Sequence, residues 1–200
     1  MKPEIRIASI GNVDSAKTTT ISVIANQKLD DGRGKARKVI LKHPHEESTG
    51  RTSSITQHYI ETNNKIFGFI DLAGHEKYLK TTLTGLNGGY IDYAMITIGA
   101  DRGIIGMTKE HLTLAIVLKI PILIVITKLD IATEHKLSKI KNRLAGIFQH
   151  PLAGNKQLQF ITNKHMNNID TNIFFNTNNV PVFQISNISG ENIDVLRKFI

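Results

Sequence analysis

The run Gly11-Asn12-Val13-Asp14-Ser15-Ala16-Lys17-Thr18, with Thr19 after it, stands between a strand-like segment and a helix-like one. A loop that cradles phosphate has the pattern Gly, four residues, Gly, Lys, Ser or Thr. In such a loop successive backbone N–H groups curl around an anion, and the helix N-terminus adds its positive dipole end. Lys17 would then reach the β- and γ-phosphate oxygens, and the Thr18 hydroxyl would ligate magnesium. Ala16 stands where the second Gly belongs, and its methyl either forces a backbone compromise or crowds the phosphate. An ordinary strand–loop–helix junction is the other reading of these residues alone.

A second constellation begins where the apolar run Lys65 to Ile70 ends in Asp71. A carboxylate at that strand end can hold a magnesium-bound water beside Lys17 and Thr18. Asp71-Leu72-Ala73-Gly74 has the form Asp-x-x-Gly. There Gly74 would offer its N–H to a γ-phosphate, whose loss would release the following segment. His75 follows directly and is placed to position an attacking water, although a lone His is more often an ordinary loop residue.

The third constellation, Thr127-Lys128-Leu129-Asp130, closes the apolar run Ile122 to Ile126. Guanine presents N1–H and N2–H₂ side by side, and one carboxylate accepts both, which gives Asp130 its chemistry. Adenine has no such pair, so this loop speaks against an ATP-using enzyme. Lys128 would lay its aliphatic stem along the base. Thr127 stands where the guanine-reading pattern has Asn, and its hydroxyl can bond neighbouring backbone over a shorter reach. Ser186-Asn187-Ile188 ends the last long strand and would complete the pocket with a backbone N–H facing guanine O6. A solvated strand end is the alternative for each motif taken singly.

These residues need a scaffold that brings strand ends to one rim. Strand-like runs fall at Ile5 to Ile10, Thr56 to Glu61, Lys65 to Ile70, Tyr93 to Ile98, Ile122 to Thr127 and Pro181 to Ser186. Asn63-Asn64 reads as a hairpin turn between the second and third. Helical spacing marks Thr18 to Gln27, about Lys77 to Leu86, Thr108 to Leu118 with Thr108 as N-cap, Ala132 to Phe148, and Glu191 to Ile200. Leu29 to His45 reads as a long surface loop with room for a short helix. Strands alternating with helices predict an α/β architecture, a mostly parallel six-stranded sheet with one antiparallel edge strand and helices on both faces. Ligands in such folds bind beyond the carboxyl ends of the strands, where every motif above falls. Leu152 to Asn179, with seven Asn between Asn163 and Asn179, reads either as a polar low-complexity loop or as an inserted strand or hairpin buried through Phe160, Phe174 and Phe175.

Composition sets the outer bounds. Two hundred residues, 40% of them hydrophobic, suit one domain with a sizeable core. No apolar run approaches the roughly 18–20 residues that span a bilayer, and the N-terminus has no apolar signal region. The expectation is a cytoplasmic protein that does not engage membrane. Zero cysteines exclude disulfides and thiolate metal sites. The formal charge of +8 permits RNA or a ribosome as partner. The basic residues are nonetheless spread out, as on a solvated surface. Oligomeric state is not legible.

With these segments in hand, the sequence resembles the translational GTPases of the elongation factor Tu class, and within them the subfamily of GTP-binding proteins 1 and 2. The resemblance is carried by Leu29-Asp-Asp-Gly-Arg-Gly34, Glu47-Ser-Thr-Gly-Arg-Thr-Ser-Ser54, Asp71-Leu-Ala-Gly-His-Glu-Lys-Tyr-Leu-Lys-Thr-Thr82, Gly106-Met-Thr-Lys-Glu-His111 and Gln184-Ile-Ser-Asn-Ile-Ser-Gly-Glu-Asn192. Ala73 and Thr127 suit that subfamily, and Ala16 does not. The resemblance implies a three-layer P-loop NTPase fold of the G-domain kind and a magnesium-dependent GTPase that switches between GTP and GDP. It implies Thr52 as a magnesium ligand and γ-phosphate sensor, with Glu46 before it. It makes His75 and Lys17 catalytic, Val13 a gate to His75, and Asp14 a holder of a monovalent cation. A protein effector or activating partner is implied too. Two β-barrel domains follow the nucleotide domain in the family, and this sequence ends at Ile200 without them. The single domain is expected over 1–200 with an Asn-rich insertion at about 152–179. The Asn- and Ile-rich composition suits an A/T-rich genome, such as that of a giant DNA virus, in which case the compartment is the host cytoplasm.

Overall fold

The computed structural model describes residues 2–40, 56–72, 90–162 and 178–200. Seven strands among them form one sheet: β1 (Glu4–Gly11), β2 (Thr56–Glu61), β3 (Ile66–Asp71), β4 (Tyr93–Gly99), β5 (Ile122–Thr127), β6 (Gln157–Phe160) and β7 (Asn179–Gln184). Their spatial order is β2-β3-β1-β4-β5-β7-β6. All neighbours are parallel except β2 and β3, which pair antiparallel from Thr56↔Asp71 to Glu61↔Ile66. The hairpin between them turns at Asn63-Asn64, where the Thr62 N–H donates to the Lys65 carbonyl at 2.9 Å.

The helices are α1 (Lys17–Asn26), α2 (Lys35–Lys38), α3 (Gly106–Val117), α4 (Glu134–Phe148) and α5 (Ile193–Phe199). They take opposite faces of the sheet, because alternate residues of a strand point to opposite sides. On one face Ala8, Ile10, Ala94, Ile96, Ile98, Ile122, Ile124 and Ile126 pack with Leu112 and Ala115 of α3 and Leu137, Ile140, Leu144 and Phe148 of α4. On the other, Ile7, Phe67, Phe69, Met95, Leu123, Val125 and Phe183 meet Ile21 and Ile24 of α1, Ala36 of α2 and Leu196 and Phe199 of α5. Phe183 and Phe199 meet edge to face at 4.8 Å between ring centres. Strands apolar on both faces are thus covered on both faces, as a parallel sheet requires. This is the three-layer α/β architecture expected.

Two expectations need correction. The sheet has seven strands, not six. The added strand, β6, is the four residues Gln-Leu-Gln-Phe, which carry too little alternation to signal a strand and owe their extended form to pairing with β7. Phe160 packs on the core there, with the Lys141 ammonium 5.1 Å from its ring centre. The inserted-strand reading therefore holds at the start of the obscure segment, while residues 163–177 lie outside the described part. Secondly, Thr108 does not cap α3. The helix begins two residues earlier, at Gly106 after Ile105 in extended backbone, and both Thr108 and His111 are buried inside it. The loop after α1 contains a short helix, α2, as expected, and two carboxylates order it. Asp30 accepts from the N–H groups of Gly32, Gly34 and Ala36, and Asp31 from those of Arg33 and Lys35. No described helix is long and apolar enough to cross a membrane.

Candidate functional site

The phosphate loop leaves β1 at Gly11, whose φ of +150° and surroundings exclude a side chain. A Cβ there would lie 2.3 Å from the Thr97 carbonyl oxygen. Asn12 turns the chain next, its carbonyl accepting from the Ser15 N–H at 3.3 Å and the Ser15 hydroxyl at 2.8 Å. Its side-chain amide donates to the Val13 carbonyl at 3.0 Å. Asp14 and Ala16 both take left-handed backbone, at φ 60° and 65°. Of the two outcomes foreseen for Ala16, the backbone compromise is the one observed. Ala16 is the N-cap of α1 and its side chain makes no capping bond.

Lys17 is buried, and its ammonium donates to the Gly11 and Asn12 carbonyls at 3.3 and 2.8 Å. Burial pushes its pKa down, with Asp71 and Asp14 opposing. A phosphate is the kind of anion that restores the ammonium's preference for its charged form. The Thr18 hydroxyl donates to Asp71 Oδ2 at 2.5 Å, so the two expected magnesium oxygens stand side by side across the ends of β3 and α1. Hydroxyl and carboxylate are hard donors, and magnesium takes one or two such groups together with waters and substrate phosphates. Among the described residues no group of three His, Cys, Asp or Glu could make a protein-only cage. The residues present fit magnesium.

The base loop is tied to the phosphate loop by Thr127. Its hydroxyl, fully buried, donates to the Ser15 carbonyl at 2.9 Å. Lys128 takes left-handed backbone and its ammonium meets Asp101 Oδ2 at 2.8 Å. The Leu129 N–H donates to the Ile185 carbonyl, which joins this loop to the last one. Ser186 then works three ways. Its hydroxyl donates to Asp130 Oδ1 at 2.5 Å and accepts the N–H groups of Ile188 and Ser189. Asn187 is buried and donates to the Thr20 hydroxyl of α1 at 3.0 Å, while its carbonyl accepts the Asp30 N–H.

These segments enclose one cleft of about 530 Å³. Asp14, Ala16 and Thr19 line it from the phosphate loop, Lys128 and Asp130 from the base loop, and Asn187 and Ile188 from the last. That volume lies within the usual span of small-ligand pockets. The structure thus gathers Gly11, Asn12, Val13, Asp14, Ser15, Ala16, Lys17, Thr18, Thr19, Asp71, Thr127, Lys128, Asp130, Ser186, Asn187 and Ile188 around one rim. Thr52, Gly74 and His75 lie outside the described residues, as do Glu46, Ala73 and the helix expected near Lys77 to Leu86.

Four features were not assigned from sequence. Gly32, Arg33, Gly34 and Arg37 form a further wall of the cleft, and the signal was the Asp-Asp-Gly-x-Gly string, whose carboxylates bind backbone two residues on. Asp101 holds Lys128. Its neighbour Arg102 stands 3.3 Å from Asp14, where the family resemblance implied a monovalent cation. Finally, His111 is fully buried in α3. Burial, with the Lys17 charge adding to it and the Gly11 backbone opposing, lowers its pKa to about 4.

The family model for the elongation factor Tu GTP binding domain matches residues 2–200. GTP-binding protein 1 of Xenopus laevis is 37% identical over 223 residues, covering 98% of this chain and 34% of that protein. GTP-binding protein 2 of Homo sapiens is 35% identical over 219 residues, covering 98% and 36%. Elongation factor 1-alpha of Methanobrevibacter smithii is 29% identical, covering 96% and 43%. The chain therefore spans less than half the length of these curated relatives. Among solved structures, a bacterial selenocysteine-specific elongation factor EF-Sec superposes with a TM-score of 0.70 at 23% identity, covering 98% of this chain and 28% of that one. The elongation factor SelB of Methanococcus maripaludis, in complex with a GTP analogue, gives 0.67 at 20% identity, covering 98% and 33%. At these identities the structures show a shared fold, that of a P-loop GTPase G domain.

Proposed function

The chain belongs to the elongation factor Tu GTP-binding domain family, and on that premise we propose that it binds GTP and GDP with magnesium and hydrolyses GTP slowly, as a molecular switch. The observation that carries the reading is the cleft. Asp14, Ala16 and Thr19, beside Lys17 in sequence, share it with Asp130, which lies 116 positions after Asp14. One purine nucleotide can therefore meet phosphate-binding and base-reading groups together.

In this reading Asp130 accepts guanine N1–H and N2–H₂, and Lys128 covers the base. The loop N–H groups and Lys17 hold the phosphate chain. Thr18, Asp71 and Thr52 would hold magnesium, which would supply neutralisation of the charge that develops on the phosphates. His75 orients the attacking water, Val13 controls access to it, and Gly74 senses the γ-phosphate. Loss of that phosphate releases the segments bearing Thr52 and Gly74 and so changes what a protein, RNA or ribosomal partner meets.

A second reading is a nucleotide-binding regulatory module with little hydrolysis, which the left-handed Ala16 favours, since a strained loop is a poorer frame for chemistry. Nucleotide titration with and without magnesium, followed by single-turnover phosphate release, tests both. His75→Ala should slow release while leaving GDP affinity nearly intact. GDP and GTP both failing to bind would end the first reading and the second alike; tight binding without phosphate release would leave the second.

A further inference from the structure

Two neighbours of opposite charge on the turn between β4 and α3 grip the two halves of the cleft. Asp101 pairs with Lys128 of the base loop at 2.8 Å, and Arg102 pairs with Asp14 of the phosphate loop at 3.3 Å. The turn itself is fixed. Arg102 and Gly103 donate their N–H groups to the Gly99 carbonyl at 3.2 and 2.8 Å, and Gly103 takes φ 71°. Only about 10 Å³ of free space separates the turn from Asn12, Val13, Asp14 and Ser15. Arg102 is therefore a cation delivered by a rigid support to the edge of a phosphate-binding loop, and it lines the same cleft as Ala16, Lys128 and Asp130.

Asp14 is the anomaly that gives this meaning. A carboxylate at the tip of a loop built to bind anions repels its ligand, unless a cation screens it. The Asp14–Arg102 pair is half exposed, at 40% and 52% of the side-chain surfaces. An exposed pair of this kind is weak and easily exchanged. A polyphosphate offers the guanidinium a better partner, because phosphate oxygens match its planar fork and carry more charge.

We propose that Arg102 is a nucleotide-binding residue of this chain: it leaves Asp14 for the phosphate chain when nucleotide enters, and in doing so fills with a guanidinium the place of a cation beside the phosphate loop. This rests on the guanine-nucleotide reading of the cleft. The two carboxylate and guanidinium partners then act with opposite sign. Arg102 attracts the phosphates, and Asp14 competes with them for Arg102.

The test is competition of GDP, GTP and guanosine against a fluorescent GDP, using the full chain with magnesium, for wild type and for Arg102→Ala, Arg102→Lys and Asp14→Asn. Arg102→Ala should weaken GDP and GTP by about tenfold, the worth of one charge-assisted contact, and leave guanosine unchanged. Arg102→Lys, the folded control, should recover part of that loss. Asp14→Asn should tighten GDP by a few fold. If Arg102→Ala and Asp14→Asn weaken GDP alike, the pair only braces the loop and the proposal is wrong. Repeating the titrations in potassium, sodium and lithium chloride supplies an independent check. Wild type should bind equally in all three. A potassium requirement abolished by Asp14→Asn would place a metal cation at the carboxylate and overturn the assignment. Wild type binding no guanine nucleotide would instead refute the reading of the cleft, and this inference with it.

Discussion

The Thr127 hydroxyl donates to the Ser15 carbonyl at 2.9 Å, across 112 positions of sequence. It joins the loop proposed to read the base to the loop proposed to wrap the phosphates, in an interior where Thr127 has no exposed surface. A hydroxyl on β5 reaches because β4 and β5 run in parallel to the same rim, and Thr127 ends its strand beside Gly99. Thr127→Val keeps the shape and removes the donor, leaving the Ser15 carbonyl short of a partner. It should cost about 1–2 kcal/mol of stability and weaken GDP by about tenfold, with Thr127→Ser restoring both. Urea unfolding and GDP titration measure the two effects, and a Val variant that binds as tightly as wild type would show that the tether is unimportant.

Ala16 carries a different liability. An L-residue in left-handed backbone costs roughly 1–2 kcal/mol relative to its right-handed form, and Ala16 sits at φ 65°, ψ 29°. Glycine adopts that conformation freely, although it gains entropy when unfolded. Ala16→Gly should therefore raise stability by about 1 kcal/mol, and GDP affinity by a few fold as the methyl leaves the cleft wall. Thermal unfolding and titration of the same preparation decide it. Unchanged values in both would mean that the loop tolerates the methyl without strain.

Asp130 and Ser186 make the base specificity testable without harming the fold. Asp130→Asn retains the Oδ1 acceptor for the Ser186 hydroxyl but replaces one guanine-accepting oxygen by a donor. GDP should bind about a hundredfold more weakly, the loss of one charged double contact. Xanthosine diphosphate should gain, since an amide donates to its added carbonyl. Competition between the two diphosphates reads the switch; a variant that still prefers guanine would remove Asp130 from the base pocket.

The parts legible in the sequence were those where one physical demand fixes both residue type and place. Ile122 to Thr127 could only be a strand covered on both faces, and its end marked the base loop. Gly11 and Lys17 likewise marked the turn from β1 into α1. What was not legible depends on pairing between distant segments. β6 is extended because β7 lies beside it, not because Gln-Leu-Gln-Phe demands it. Thr108 looks like a cap, yet the chain enters α3 already helical at Gly106 after the Gly103 turn, and buries it. Asp101 and Arg102 stand in a turn without periodicity, and only the fold shows that each faces a partner of opposite charge.

His111 gives a prediction that needs no nucleotide. It has no exposed surface, and neither ring nitrogen meets a partner at good hydrogen-bonding geometry. Its pKa falls from an ordinary 6.5 to about 4, through burial first and the Lys17 charge second. Between those values the unfolded chain binds a proton there that the folded chain does not. Stability should therefore rise with pH across that window and be lost as pH falls from about 6.5 to about 4. The full effect is of order 3 kcal/mol, from about 1.4 kcal/mol for each pH unit. Carboxylates in general titrate in the same pH range, so the informative quantity is the difference between wild type and His111→Gln. Urea midpoints taken from pH 7 to pH 4 should fall more steeply for wild type, by the equivalent of one proton. Parallel curves would mean that His111 protonates without cost in the folded chain, and that water reaches it beneath the phosphate loop.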